Sequence, residues 1–123
     1  MPVELHIFDQ VQERLHYKAG DVILSQGQES DKMYAVIVGE VDVIVDGKYL
    51  HTVSAGGAVG EMALIDEGRT SAEVRAKTDC ELVPVDKERF NFLVQQTPYF
   101  ALQMMKILVD RLREATQLGV KYL

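Results

Sequence analysis

The stretch Gly56–Ala76, which reads GGAVGEMALIDEGRTSAEVRA, constrains the fold more than any other part of the chain. Closely spaced glycines end at Gly60, a short apolar turn follows over residues 62–65, and a polar loop precedes the alternating segment 72–76. This pattern predicts a strand, one turn of helix and a returning strand. The first N–H groups of such a turn have no partner inside the helix and can bind an anion, with the Glu61 carboxylate beside them.

Composition limits the classes of protein to which the chain can belong. Its 123 residues predict one domain, spanning 1–123, with a core of ordinary size. A net charge of −6 argues against nucleic acid as the partner, since that binding depends on neutralising phosphates. The single cysteine, Cys80, fits a reducing compartment, and neither a secretory signal nor an apolar run of about 20 residues appears. We therefore expect a cytoplasmic protein with no membrane partner.

The periodicity of apolar residues changes twice along the chain. Residues 4–14 have apolar side chains at helical spacing, which predicts an N-terminal helix. Short alternating segments with frequent turns, among them the hairpin signal Asp46-Gly47, predict an antiparallel β-barrel or sandwich over about 15–85. Residues 86–118 return to a helical pattern, and Pro98 divides them into two C-terminal helices.

The order of these segments resembles the cyclic-nucleotide-binding domain family over nearly the whole chain. The resemblance rests on Gly-Glu-Met-Ala-Leu at 60–64 and on Ser71-Ala72-x-Val74 downstream. The family includes the catabolite activator protein and the regulatory subunits of cAMP-dependent kinase. Membership implies a mainly β fold, an antiparallel double-stranded β-helix of jelly-roll type with flanking helices. It also implies a stand-alone bacterial regulatory module that binds cAMP or cGMP, uses no other cofactor and signals to an unidentified protein effector.

The resemblance also implies a phosphate-binding cassette at 60–72. Glu61 would accept a hydrogen bond from the ribose 2′-hydroxyl, and Gly60 would let the backbone approach the ligand closely. The N–H groups after Glu61 would face the cyclic phosphate, and this turn would form the floor of the only sizeable polar pocket. The implied ligand-binding residues are Gly60, Glu61, Met62, Ala63, Leu64, Arg69, Thr70, Ser71, Ala72 and Val74.

One position of the cassette departs from the family pattern. The family places an arginine two residues before the alanine that matches Ala72, but here Thr70 stands there and Arg69 precedes it. Neighbouring side chains of an extended segment point to opposite faces, so Arg69 points away if Thr70 faces the pocket. Either Gly68 lets the loop bulge so that Arg69 reaches the phosphate, or the hydroxyls of Thr70 and Ser71 hold it. Ser71 also stands where a hydroxyl is associated with guanine recognition in the family.

A second function stays open on the sequence alone: a degenerate domain of the same fold that binds no cyclic nucleotide and acts as a protein-interaction module. Metal-binding cupins share a barrel of this shape, but His6, His16 and His51 lie on three different elements and form no recognisable facial triad. No nucleophile and base stand at a usable spacing either. We therefore expect neither a metal site nor enzyme activity.

The apolar pattern of the last predicted helix indicates self-association. Residues 98–118 carry more apolar surface than one wall of a barrel can cover. Five of their apolar residues follow the four-three spacing of a knobs-into-holes seam: Ala101, Met105, Leu108, Leu112 and Ala115. This spacing predicts a homodimer through the C-terminal helix, with a helix folded back over the pocket mouth as the alternative.

Overall fold

The computed structural model describes residues 5–66 and 68–117. Within them eight strands and three helices follow one another along the chain. They are β1 (Leu15–Tyr17), β2 (Val22–Leu24), β3 (Lys32–Val38), β4 (Glu40–Val45), β5 (Lys48–Ser54), β6 (Ala58–Val59), α1 (Glu61–Asp66), β7 (Glu73–Ala76), β8 (Cys80–Asp86), α2 (Lys87–Gln96) and α3 (Pro98–Gln117).

The strands form two four-stranded sheets, with the orders β1-β8-β3-β6 and β2-β7-β4-β5. Every recorded strand pair is antiparallel, so the predicted mainly β, jelly-roll-like fold is confirmed. The hairpin between β4 and β5 turns at Asp46 and Gly47, whose φ angles are 52° and 77°. Two successive positive φ values suit the right-handed twist of a two-residue hairpin, which explains the Asp-Gly signal.

Alternation along the strands builds the interior. In β4, Val41 and Val43 are buried while Asp42 between them is only partly covered. These valines belong to one apolar cluster, which draws its members from both sheets. A second cluster lies where α3 meets the barrel, and Phe100 and Met104 pack there with residues of β3 and β8. The helices are thus part of the core, and α3 is fixed against the barrel.

The predicted N-terminal helix is wrong for the residues that the structure describes. Two successive turns occur instead, each closed by a backbone hydrogen bond of 3.1 Å between residues three apart. Leu5 and Phe8 are buried, and their i, i+3 spacing is satisfied by a turn as well as by a helix. The Arg14 guanidinium donates hydrogen bonds to the carbonyl oxygens of Asp9 and Val11, at 2.8 and 2.9 Å. A helix would need those carbonyls for its own ladder.

Both C-terminal helices begin where the sequence predicts. The Asp86 carboxylate accepts a 2.8 Å hydrogen bond from the backbone N–H of Arg89 and caps α2. The Phe100 ring of α3 lies 5.4 Å from that of Phe90 in α2 and 6.0 Å from that of Phe8. Among the described residues, none of the helices is both long and apolar enough to cross a membrane.

Candidate ligand-binding site

The site begins at the junction between β6 and α1. Gly60 has a φ of 79°, and a Cβ added to it would lie 3.2 Å from the Lys32 carbonyl oxygen. Any other residue would be strained here both by its backbone angle and by the close approach of β3. The glycine lets the chain turn sharply, so Glu61 opens α1 with its side chain pointing inward and only 3% exposed.

The Glu61 carboxylate is paired with an arginine from α3. Arg111 Nε lies 3.2 Å from Glu61 Oε1, and the same guanidinium donates a 2.8 Å hydrogen bond to the Ala58 carbonyl. Burial raises the pKa of the Glu61 carboxyl, and the charge of Arg111 acts against that rise. A carboxylate from the cassette and a guanidinium from the last helix thus form one buried pair.

Arg111 is a functional residue that the sequence pattern did not predict. A signal was available, because Met104 and Ile107 are buried on the barrel side of α3 and Arg111 follows them at the next helical step. A charged residue on the inner face of an apolar helix needs a buried partner. The sequence offers several acidic residues to fill that role, and only the fold selects Glu61.

Arg69 does not turn into the site. Its guanidinium donates to the Gly27 carbonyl at 2.8 Å, lies 3.4 Å from Glu29, and has a side chain that is 66% exposed. A β-bridge between Glu29 and Arg69 aligns this segment with the turn before β3, so the alternation of side chains sends Arg69 outward. The expectation that Gly68 lets Arg69 reach the ligand is therefore not met in this structure.

Thr70 is buried, and its hydroxyl is already in use. It donates a 2.6 Å hydrogen bond to the Ser25 carbonyl. Two backbone hydrogen bonds, of 2.9 Å to Gln28 and of 2.8 Å from Gly27, join the same residue to the turn after β2. The hydroxyl proton is therefore not available to a phosphate, and Thr70 instead ties the cassette to the barrel.

The other residues implied by the resemblance fall into two groups. Ala63, Leu64 and Val74 are buried, with Val74 in the core between the sheets. The partly exposed Met62 has its sulfur 3.8 Å from the Ser71 hydroxyl, which brings the two ends of the cassette together. Ala72 packs against the core. The cassette is therefore assembled, but Met62 lies beside the hydroxyl that could meet a ligand.

Two cavities adjoin these elements. The larger, of about 770 Å³, is an outer groove that Leu64 and Arg69 help to line. The smaller, of about 160 Å³, lies between β5, the segment 54–58 and α3, and Arg111 forms part of its wall. Glu61 lines neither of these two cavities, whereas Ala63 and Leu64, from the turn that Glu61 opens, line the larger one. The turn therefore borders a sizeable cavity as predicted, but the Glu61 carboxylate does not. Arg111 covers the carboxylate instead.

Within 5–66 and 68–117, no three His, Cys, Asp or Glu side chains converge in a way that could hold a metal ion. His6 contacts Asp9 at 3.0 Å, while His51 contacts Glu114 at the same distance on another element. The polar groups that do converge, Glu61, Arg111, His51 and Glu114, suit hydrogen bonding to an organic ligand better than metal ligation.

Known proteins share both the sequence and the fold of this chain. The chain is 32% identical over 119 residues to a lysophospholipase, nte1, of Aspergillus oryzae, which covers 93% of this chain but 8% of that protein. The catabolite activator protein of Thermus thermophilus superposes with a TM-score of 0.76 and 32% identity, covering 85% of this chain and 52% of that one. The c-di-GMP responsive regulator CLP of Xanthomonas campestris gives 0.76 and 27%, covering 85% and 56%.

The chain thus spans about 8% of the fungal lysophospholipase and about half of each bacterial regulator. The model of the cyclic nucleotide-binding domain matches residues 14–97, from the last residue before β1 to the residue that follows α2. That match covers more than half of the chain and includes the whole cassette. The chain belongs to the cyclic nucleotide-binding domain family.

Proposed function

We propose that this chain is a regulatory module that binds a cyclic nucleotide, cAMP or cGMP, at Glu61 and reports its presence through α3. The observation that carries the proposal is the 3.2 Å contact between Glu61 and Arg111. A ribose 2′-hydroxyl that hydrogen bonds to Glu61 competes with the guanidinium of α3 for the same carboxylate. Any ligand that changes this contact also changes how firmly α3 is held, which couples the site to a partner.

Arg111 is also the cation best placed to meet a cyclic phosphate. It is half-buried beside Glu61, whereas Arg69 is exposed and directed to the turn before β3. A charge-assisted hydrogen bond contributes about 1.5–3 kcal/mol. The cassette's own arginine, Arg69, is directed away from the site, so we expect affinity lower by roughly ten- to more than a hundredfold than with an arginine directed at the phosphate.

Calorimetric titration of the purified chain with cAMP and with cGMP tests the proposal. Binding should be saturable and should be lost in Glu61→Ala, while Arg69→Ala, which removes an exposed cation outside the site, should leave it unchanged. Equal affinity in the wild type and in Glu61→Ala would contradict the role of this carboxylate.

A second function, a protein-interaction module without a nucleotide, is favoured by one observation. The Thr70 hydroxyl donates to the Ser25 carbonyl, and the Arg69 guanidinium donates to the Gly27 carbonyl on the outer side of the cassette, so neither is directed at a phosphate above α1. A folded chain that gives no heat with either cyclic nucleotide at millimolar concentration would support this function over the first.

The output that we propose is contact with a protein effector and not catalysis by this chain. The exposed side of α3 supports a homodimer: Leu102, Met105, Val109 and Leu112 are 45%, 60%, 42% and 45% exposed. This stripe differs from the predicted seam, because Ala101 and Leu108 of that seam are half-buried. Exposed stripes of this kind mark interfaces, and a two-fold contact is their commonest use.

The buried free Cys80 supports a reducing, cytoplasmic location.

A further inference from the structure

The Met62 side chain on α1 has no role in the function proposed above. The residues on either side of it, Glu61 and Ala63, are buried, whereas Met62 is turned outward and is 40% exposed. Its sulfur lies 3.8 Å from the hydroxyl oxygen of Ser71, at the other end of the cassette. A thioether is a weak hydrogen-bond acceptor, so this contact joins the two ends of the cassette only weakly.

Exposure separates Met62 from the other sulfur atoms. Four of the five methionines lie in the described residues. Met33 and Met104 are buried in the apolar cluster where α3 meets the barrel. Met105, at 60% exposure, belongs to the stripe on α3 that we propose as the dimer contact. Cys80 is buried, and burial raises the pKa of its thiol, which disfavours the reactive thiolate. In the described part of the chain, Met62 is thus the one solvent-exposed sulfur of the cassette.

Resting on the proposed function, we propose that Met62 is a site of reversible oxidation and that its sulfoxide weakens cyclic-nucleotide binding. Hydrogen peroxide is the oxidant. The thioether sulfur takes one oxygen atom from the peroxide, the O–O bond breaks and water leaves, so the sulfur is oxidised and the peroxide is reduced. Methionine sulfoxide reductases restore the thioether, with one enzyme for each epimer of the sulfoxide.

Oxidation changes what Met62 offers to Ser71. A sulfoxide is polar, and its oxygen accepts hydrogen bonds better than a thioether sulfur does. That oxygen is bonded to an atom that already lies 3.8 Å from the Ser71 hydroxyl, so the hydroxyl proton is drawn to it. Ser71 then has no proton to donate to a ligand above α1. The oxidised site therefore offers the ligand one neutral hydrogen bond fewer.

The position of Met62 makes the modification compatible with the fold. A sulfoxide in a core places a polar group among apolar side chains and disrupts them. Met62 is exposed, so its sulfoxide remains hydrated. We therefore expect oxidation here to change ligand affinity while the chain stays folded, which a reversible modification requires.

Peroxide treatment followed by peptide mass spectrometry tests the site without any ligand. Met62 and Met105 should be oxidised several times faster than Met33 and Met104, because only the first two are open to the reagent. Circular dichroism before and after treatment checks that the chain remains folded. Equal rates at all four methionines would overturn the assignment of Met62 as a selective site.

Calorimetric titration with cAMP and cGMP, before and after peroxide treatment, tests the effect on binding. In Met105→Leu, Met62 is the only exposed methionine of the described residues, and Met62→Leu is the reciprocal control that leaves Met105. Oxidation should lower the affinity of Met105→Leu by about two- to tenfold, the size of one neutral hydrogen bond. Treatment with the two reductases should restore it. Oxidation should leave the affinity of Met62→Leu unchanged.

Ser71→Ala in the Met105→Leu chain tests the route of the effect. Without the hydroxyl, oxidation of Met62 should change affinity by less than about twofold. Equal affinity before and after oxidation of Met62, or an equal loss in Met62→Leu or without the Ser71 hydroxyl, would overturn this inference while the proposed function stands. A folded wild type that binds neither nucleotide before oxidation would overturn both. The comparison of the wild type before and after oxidation needs no variant, so it holds even if a variant folds poorly.

Discussion

Arg111 Nε of α3 lies 3.2 Å from Oε1 of Glu61, the residue that opens α1. Fifty residues separate the two along the chain, yet the pair is almost closed to solvent, with side-chain exposures of 16% and 4%. The contact joins the cassette to the last helix directly, without an intervening element.

Removing Arg111 should destabilise the chain strongly. Arg111→Ala leaves the Glu61 carboxylate buried and unpaired, and loss of one partner of a buried pair costs about 3–5 kcal/mol. Urea unfolding followed by circular dichroism measures this change. The double variant Arg111→Ala/Glu61→Gln should recover part of the loss, because no charge is then left buried. A double variant as unstable as the sum of the two single variants would contradict a direct interaction.

Thr70→Arg should strengthen cyclic-nucleotide binding by roughly ten- to a hundredfold, since it supplies the missing charge-assisted hydrogen bond. The same change removes the 2.6 Å hydrogen bond to Ser25, so the free energy of unfolding should fall by about 1 kcal/mol. Calorimetry and urea unfolding measure the two effects separately. Thr70→Ser keeps the hydroxyl and should show neither. Affinity unchanged in Thr70→Arg would speak against a phosphate at this position.

Lowering the pH should destabilise the folded chain, because His51 is partly buried in its neutral form. Its pKa is about 4 in the folded chain and about 6.5 when unfolded, so the unfolded state takes up the proton first as pH falls. The free energy of unfolding should therefore be fully retained above pH 6.5 and should decrease between pH 6.5 and 4. Because carboxylates also titrate near the lower end, the measurement compares the wild type with His51→Gln. Parallel pH profiles of the two proteins would show that His51 is not buried as described.

The exposed stripe on α3 should hold two chains together. Met105→Asp places a charge at the most exposed of its positions and should convert a dimer into a monomer in sedimentation equilibrium at micromolar concentration. Phe92→Asp is the control, because Phe92 is equally exposed, at 61%, but lies on α2 outside the stripe. A wild type that sediments as a monomer, or dissociation caused equally by Phe92→Asp, would exclude this interface.

Local rules predict the barrel because its signals are local. Alternation fixes which faces of β4 are buried, and Asp46-Gly47 fixes the hairpin through its positive φ angles. Gly60 is likewise predictable from the sharp turn into α1. Each of these features depends on the conformation of a few neighbouring residues.

The side chains that fill the site could not be predicted in this way, since their positions depend on contacts between distant segments. Arg111 meets Glu61, and Thr70 meets Ser25 across 45 residues, and no periodicity encodes either choice. The N-terminal turns depend on Arg14, whose guanidinium competes for carbonyls that a helix would use. The tertiary fold determines such pairings, and they cannot be predicted from local sequence patterns alone.

The hydrogen bond from Thr70 to Ser25 fixes the end of the cassette before any ligand arrives. A segment that is already ordered loses little conformational entropy when it binds, so the penalty of arranging a loop around the ligand is small. Under the proposed function, the outward direction of Arg69 lowers the attraction for phosphate, whereas the fixed loop lowers the cost of association. Ligand capture by this chain should therefore be fast and readily reversible, which suits a sensor that follows changes in concentration and does not store its ligand.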